Sequence, residues 1–231
     1  MGAERLLQVP AAILFDLDGT LADTAPDLAA AVNRLRTDRG LDPSPYETLR
    51  PFASAGARGL IAAAFGIAPQ DARYGALRDE FLVNYQADIA VKSVLFPGVE
   101  RLLATLRDKG IVWGIVTNKA ARLTDALVPR IGLQHAGCVI SGDTASHPKP
   151  HPAPLLEAAR RIDLRPEHCW YVGDDLRDIE AGRAAGMATI AAAWGYCGAH
   201  EVEAWDADCV LGMPADILAR LEMCATSLHM K

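Results

Sequence analysis

Ile13-Leu14-Phe15-Asp16-Leu17-Asp18-Gly19-Thr20 is the stretch on which the reading of the whole chain turns. An apolar run ends in two aspartates one residue apart and then a glycine, the pattern of a buried strand that delivers carboxylates to a turn. Alternate residues of an extended chain face the same side, so Asp16 and Asp18 would crowd their charges together. A divalent metal ion shared at that spot relieves the crowding. A strand closed by an ordinary Asp-Gly turn accounts for the same residues, so the rest of the chain has to decide.

Moving outward, further β-rich runs at residues 111–117, 138–141, 169–174 and 189–194 follow the first one at residues 11–16. Helical patterns lie between them. Val99, Leu102, Leu103 and Leu106 make an apolar stripe before Gly110, and Leu155, Leu156, Ala159 and Ile162 make another. This alternation implies an α/β fold with parallel strands joined by crossover helices. Residues 21 to about 90 break the alternation, with helix-like segments and no convincing strand. Thr24 and Asp27 resemble a capping box, Pro26 suits a first helical turn, and Leu28, Val32 and Leu35 form a stripe. Leu77, Phe81 and Tyr85 repeat at four-residue spacing further on. The expectation is an all-helical insertion that overhangs the carboxylate pair as a lid.

The chain has 231 residues, enough for a sizeable core, and its 51% apolar content argues against disorder. A net charge of -6 disfavours a nucleic-acid surface or a basic membrane patch. Five scattered cysteines without CxxC spacing suggest free thiols in a reducing compartment. The first ten residues are too polar for a signal peptide, and Leu6 stands where a myristoylation signal needs Ser or Thr. No apolar run reaches the roughly 20 residues of a membrane span. The expectation is a cytoplasmic protein without nucleic-acid or membrane partners.

Three further strand ends carry chemistry. Thr117 and Asn118 close the second strand, where a hydroxyl and the amides of a following helix offer an anion site, although a plain N-cap threonine fits equally. Lys149 stands between Pro148 and Pro150, a stiff frame for an ammonium held against an anion, or else a solvated loop lysine. The neighbouring His147 and His151 have no metal-ligand spacing. Asp174 ends the fourth strand as Asp16 ends the first and can reach a shared cation. Asp175 and Asp178 begin the next helix, where acidic residues are stabilising through the helix dipole. Phosphoryl transfer needs an oxygen nucleophile, a proton donor, a cation and donors for the phosphoryl oxygens. Asp16, Asp18, Asp174, Thr117 and Lys149 together supply such a set.

On Asp16-Leu17-Asp18-Gly19-Thr20, Thr117-Asn118, Lys149-Pro150 and Gly173-Asp174-Asp175 with Asp178, the sequence resembles the haloacid dehalogenase superfamily of phosphohydrolases. The resemblance implies a Rossmann-like parallel sheet with helices on both faces and an inserted all-helical cap. It divides the chain into a core of residues 1–20 and 92–231 and a cap of residues 21–91. Within the superfamily the wording is similar to bacterial phosphoglycolate phosphatases and to N-acetylmuramic acid 6-phosphate phosphatases. That implies a phosphomonoester hydrolase acting on a small phosphorylated metabolite through an aspartyl-phosphate, as a monomer or homodimer.

Carried over residue by residue, the resemblance makes Asp16 the nucleophile and Asp18 the acid for the leaving alcohol. Thr117 and the Asn118 amide would bind phosphoryl oxygens, and Lys149 would neutralise charge. Mg²⁺ would be held by Asp16, Asp174 and the main-chain carbonyl of Asp18, with Asp178 outside that set and Asp175 open between the two roles. In the cap loop, which differs from the better-known phosphoglycolate enzymes, Gly56 and Arg58 would contact substrate, with Arg58 clamping a carboxylate or merely exposed at a helix start. A signalling receiver would not need Asp18 or a cap, and a dehalogenase has no use for the acidic metal site. A phosphosugar mutase would share the carboxylates.

Overall fold

The computed structural model describes residues 7–197 and 201–228. The reading of the extreme N-terminus as free of a leader or acyl signal falls largely on residues 1–6, outside the described residues. The chain opens on β1 (Ala12–Phe15), four apolar residues all withdrawn from solvent. A two-residue strand β2 (Ala22–Asp23) leads into helices α1 (Ala25–Thr37), α2 (Tyr46–Leu49), α3 (Gly56–Phe65) and α4 (Tyr74–Ala87), with a short 3-10 helix at Arg50–Ala55 before α3. The chain returns through β3 (Val94–Leu95). It then alternates through α5 (Val99–Asp108), β4 (Val112–Val116), α6 (Ala121–Leu127), β5 (Val139–Ile140), α7 (Ala153–Arg161) and β6 (Cys169–Gly173). α8 (Leu176–Ala184), β7 (Ala188–Ala192), β8 (Cys209–Leu211) and α9 (Asp216–Leu228) complete it.

Six strands form one parallel sheet in the order β5-β4-β1-β6-β7-β8. Counted along the sheet this is third, second, first, fourth, fifth, sixth, the doubly wound Rossmann order, whose direction reverses between β1 and β6. Ligands of such sheets bind beyond the carboxyl ends of the strands at that reversal. Ile13 and Phe15 join one apolar cluster and Ala12 and Leu14 another, so the strand's alternation feeds cores on both faces of the sheet. At about 25 cal/mol per Å² of buried apolar surface, each of the larger side chains Ile13, Leu14 and Phe15 contributes roughly 1.5–3 kcal/mol.

Several expectations are corrected. The stretch leaving β1 does contain a strand: β2 pairs antiparallel with β3, Ala22 opposite Leu95 and Asp23 opposite Val94. The ribbon ties together the points where the chain enters and leaves the helical run, and two residues per strand are too few to show a period. β8 was not expected either, because three apolar residues are too short a run to mark a strand. Thr24 and Asp27 form no capping box: the Thr24 side chain does not cap α1. The Asp27 carboxylate instead accepts from the Lys92 and Ser93 amides and the Ser93 hydroxyl, fastening α1 to the returning chain. Leu156 is exposed, and Ala158 takes its place on the buried face of α7. Helices α1, α3 and α4 pack on one another through Leu28, Val32, Leu35, Leu60, Ile61, Leu77, Phe81 and Tyr85.

None of the five cysteines forms a disulfide among the described residues. No helix among the described residues is long and apolar enough to cross a membrane.

Candidate active site

Asp16 and Asp174 stand one residue beyond β1 and one beyond β6, and the parallel pairing of those strands brings them together. Asp178 joins them from the first turn of α8. One carboxylate oxygen from each of the three lies within 4.8 Å of the others, and all three residues are buried. Two glycines make room for this. Gly19 has φ +89°, and a Cβ there would meet Asp174 Oδ2 at 2.1 Å. A Cβ on Gly173 would meet the Asp178 carboxylate at 2.3 Å.

The ammonium of Lys149, 4% exposed, closes the cluster. Its Nζ lies 2.9 Å from Asp16 Oδ1 and 2.7 Å from Asp178 Oδ1, and it donates to Tyr171 Oη at 2.8 Å and to the Val116 carbonyl at 3.0 Å. Burial opposes its charge, but Asp16 and Asp178 outweigh burial and hold the ammonium above its ordinary value. The prolines are not its only frame. Asn118 accepts from the Lys149 amide at 2.8 Å and donates to the Lys149 carbonyl at 2.9 Å, clamping the main chain on both sides of the Lys149 Cα.

Three negative charges face one positive charge, which leaves an excess of two. Burial foremost, with like-charge repulsion, pushes Asp16 up to about 7 and Asp174 up to about 8. Lys149 pulls Asp16 down against that trend, and the Tyr196 amide and Thr20 hydroxyl do the same for Asp174. A divalent cation with a taste for hard oxygen donors fits this set in charge and chemistry. Of the residues expected to hold a metal, Asp16 and Asp174 are in the cluster, whereas the Asp18 side chain is not. Asp18 accepts from the Thr24 hydroxyl and pairs with Lys119 Nζ at 3.1 Å.

A cavity of about 200 Å³ lies between the strand ends and the loop that begins α3. Asp16, Asp18, Thr117, Asn118, Lys149 and Gly56 all border it. Asp16 Oδ1 is engaged by the Leu17 amide and Lys149, while Oδ2 takes no hydrogen bond among the described residues. Thr117, 2% exposed, follows β4 directly, and its Oγ1 accepts from the Lys119 amide. Arg58 is the exception: it is exposed and does not border the cavity. Gly56 and Ala57 meet the cavity, whereas Arg58, in the first turn of α3, turns to solvent.

Further residues reach the site. Asp178, which the sequence reading placed at a helix start and, through the resemblance, in the fourth motif outside the metal set, does accept from the Asp175 amide in a capping box, and the same carboxylate completes the acidic cluster. Asp175 caps α8 and binds Arg177 through both oxygens. Ser54, Lys119 and Arg177 line the cavity. Tyr171, fully buried in β6, reads in sequence as an ordinary core aromatic. Lys119, directly after Thr117 and Asn118, carried the best available signal.

The model of the family described as haloacid dehalogenase-like hydrolase matches residues 13–192, which take in β1, the helical run and every strand end of the site. The chain belongs to this family. Among haloacid dehalogenase-like relatives, a phosphoglycolate phosphatase of Xanthomonas campestris pv. campestris (strain 8004) is 46% identical over 91% of this chain and 96% of its own length. An N-acetylmuramic acid 6-phosphate phosphatase of Pseudomonas aeruginosa is 39% identical over 91% of this chain and 94% of its own length. A crystal structure of a predicted phosphoglycolate phosphatase from Haemophilus somnus 129pt superposes with a TM-score of 0.80 at 26% identity, covering 94% of this chain and 99% of that one.

Proposed function

We propose that this haloacid dehalogenase-like hydrolase is a Mg²⁺-dependent phosphomonoester phosphatase whose substrate is 2-phosphoglycolate. The observation that carries the reading is the free Oδ2 of Asp16, set in one cavity with Thr117, Lys149 and Asp18. The phosphoglycolate phosphatase relative at 46% identity supports the substrate.

Asp16 Oδ2 attacks phosphorus, and the bond from phosphorus to the leaving oxygen breaks as the new one forms. Asp18 gives a proton to the departing alkoxide and later takes one from the water that hydrolyses the aspartyl-phosphate. The Thr117 hydroxyl and the Asn118 main-chain N–H, which has no acceptor among the described residues, receive the phosphoryl oxygens together with Lys149. Asp16 and Asp174, with the Asp18 carbonyl, would hold Mg²⁺. Bound there, the ion supplies charge neutralisation between carboxylate and phosphate. Tyr171 and Asp178 orient Lys149 from behind.

Residues 21–91 act as the cap and residues 1–20 and 92–231 as the core, in a cytoplasmic monomer or homodimer. The N-acetylmuramic acid 6-phosphate phosphatase relative at 39% identity supports a second substrate. Cavity size favours the first. About 200 Å³ is below the ~300–1,000 Å³ of sites for drug-sized ligands, and it suits a two-carbon leaving group better than an amino sugar. Comparing kcat/KM for the two esters on purified protein tests the choice, with Asp16→Asn as the inactive control. A preference for the sugar phosphate would reverse it, and turnover surviving in Asp16→Asn would refute the mechanism.

A further inference from the structure

Three cations border the cavity, and two of them are already committed. Lys149 is matched to Asp16 and Asp178 at the phosphoryl end. Arg177 gives Nε and Nη2 to both oxygens of Asp175, at 2.7 and 2.8 Å, and Nη2 also to the Ser54 carbonyl at 2.9 Å, while its side chain is 25% exposed, so water can serve the remaining Nη1. Lys119 is different. Its side chain is 6% exposed, and its Nζ meets Asp18 Oδ1 at 3.1 Å and Tyr85 Oη at 3.1 Å, with the Tyr85 ring 4.5 Å away. An ammonium carries three N–H groups. The third has no partner among the described residues, in a place where an unpaired buried donor is costly.

The cap side offers no alternative. Ala53, Ser54, Ala55, Gly56 and Ala57 border the cavity without a charge, and Arg58 lies outside it. Recognition of a charged leaving group therefore falls to the core.

We infer that Lys119 is a specificity-determining residue, whose ammonium binds a carboxylate carried on the leaving group next to the phosphate ester. The inference rests on the phosphatase reading above, in which Asp18 touches the leaving oxygen. Hydrogen-bond reach from Asp18 to that oxygen is about 3 Å. Where Asp18 Oδ1 serves both contacts, Lys119 Nζ stands within about 6 Å of the leaving oxygen, adding its 3.1 Å to Asp18. A carboxylate two bonds from the ester oxygen falls inside that radius. An acid group on a remote arm of a larger substrate does not. Tyr85, on α4, steadies the ammonium from the helical run, so the pocket for the carboxylate is complete only where cap and core meet.

The test compares kcat/KM for 2-phosphoglycolate with that for 2-hydroxyethyl phosphate, its neutral analogue, in the full chain and in Lys119→Met, Lys119→Gln and Lys119→Arg. The expected result is a loss at least about tenfold greater on the carboxylated ester in Lys119→Met and Lys119→Gln, expressed mainly in KM. Lys119→Arg keeps the charge and most of the preference. Glutamine can still bond Tyr85, so its failure would separate charge from mere packing even where methionine unfolds the chain. Equal losses on both esters, or a preference that survives in Lys119→Gln, would overturn the inference while leaving the phosphatase reading intact. Absence of turnover of either ester by the unmodified chain would overturn the phosphatase reading itself, and the inference with it.

Discussion

The hydroxyl of Ser54 donates to Asp174 Oδ2 at 2.9 Å, so the loop before α3 reaches down to a carboxylate of the acidic cluster. Tyr196 N donates to the same oxygen at 3.0 Å, and Thr20 Oγ1 to the other at 2.9 Å. Each donor supports the charged form of Asp174, yet a cation would need those same lone pairs. The contact links the position of the helical run to the state of the cluster.

Ser54→Ala therefore binds Mg²⁺ more tightly than the unmodified chain. Release of one hydrogen bond, about 0.5–1.5 kcal/mol, corresponds to roughly a 2- to 10-fold lower dissociation constant. Titration calorimetry measures it directly. Unchanged or weaker binding would show that the hydroxyl does not compete with the ion.

Metal-free protein loses stability as pH rises from about 4 to about 8. Asp16 and Asp174 are raised to about 7 and about 8 from 3.8, so across this window the folded chain holds protons that the unfolded chain has released. The free energy of unfolding then falls with pH. Cation binding requires ionised carboxylates and removes the repulsion. The rise in Tm on adding Mg²⁺ is accordingly larger at about pH 8 than at about pH 5, as thermal melts with and without the ion will register. An increment that shrinks with pH would contradict the cluster's role.

Asp18→Asn separates leaving groups. Without the carboxyl proton, alkyl phosphates lose about 10²–10⁴-fold in kcat, whereas p-nitrophenyl phosphate, whose phenolate departs unprotonated, loses far less. Steady-state rates on the two esters decide it, and parallel losses would remove Asp18 as the acid.

The sequence reading succeeded where chemistry sits on regular structure. β1 and β6 are continuous apolar strands, so Asp16 and Asp174 could be placed at their ends without knowing the fold's details, and parallel order followed from the alternation. It failed where one residue has two explanations or where the third dimension decides. Asp178 is a good helix-start residue and a cluster member at once: local pattern shows only the first, and the motif resemblance placed it beside the metal set and not within the carboxylate cluster. Arg58 carries the right charge near the right loop, and only the structure chooses between its two readings, leaving it exposed at the start of α3 and outside the cavity. Lys119 acquires its role from Tyr85, 34 residues earlier in the chain, and from Asp18, neither of which local pattern can bring beside it. The β2–β3 ribbon is too short for periodicity of any kind.

Asn118→Ala examines a part of the site that bonds by its side chain to no reacting group. The amide side chain spans the Lys149 main chain with two hydrogen bonds of 2.8 and 2.9 Å, and alanine leaves both partners unmet in a half-buried setting. That costs about 1–3 kcal/mol of stability, readable in urea denaturation. The loop carrying Lys149 then loses its tie to the end of β4, and the ammonium its fixed distance to Asp16. Because Lys149 is needed for charge that develops on the phosphoryl group in the transition state, kcat should fall together with kcat/KM rather than KM alone rising. Asn118→Asp, which can still accept from the Lys149 amide but cannot donate to its carbonyl, should lie between the two in stability. If Asn118→Ala loses stability with unaltered kcat, the clamp serves only the fold, and the prolines beside Lys149 suffice to hold the ammonium in place.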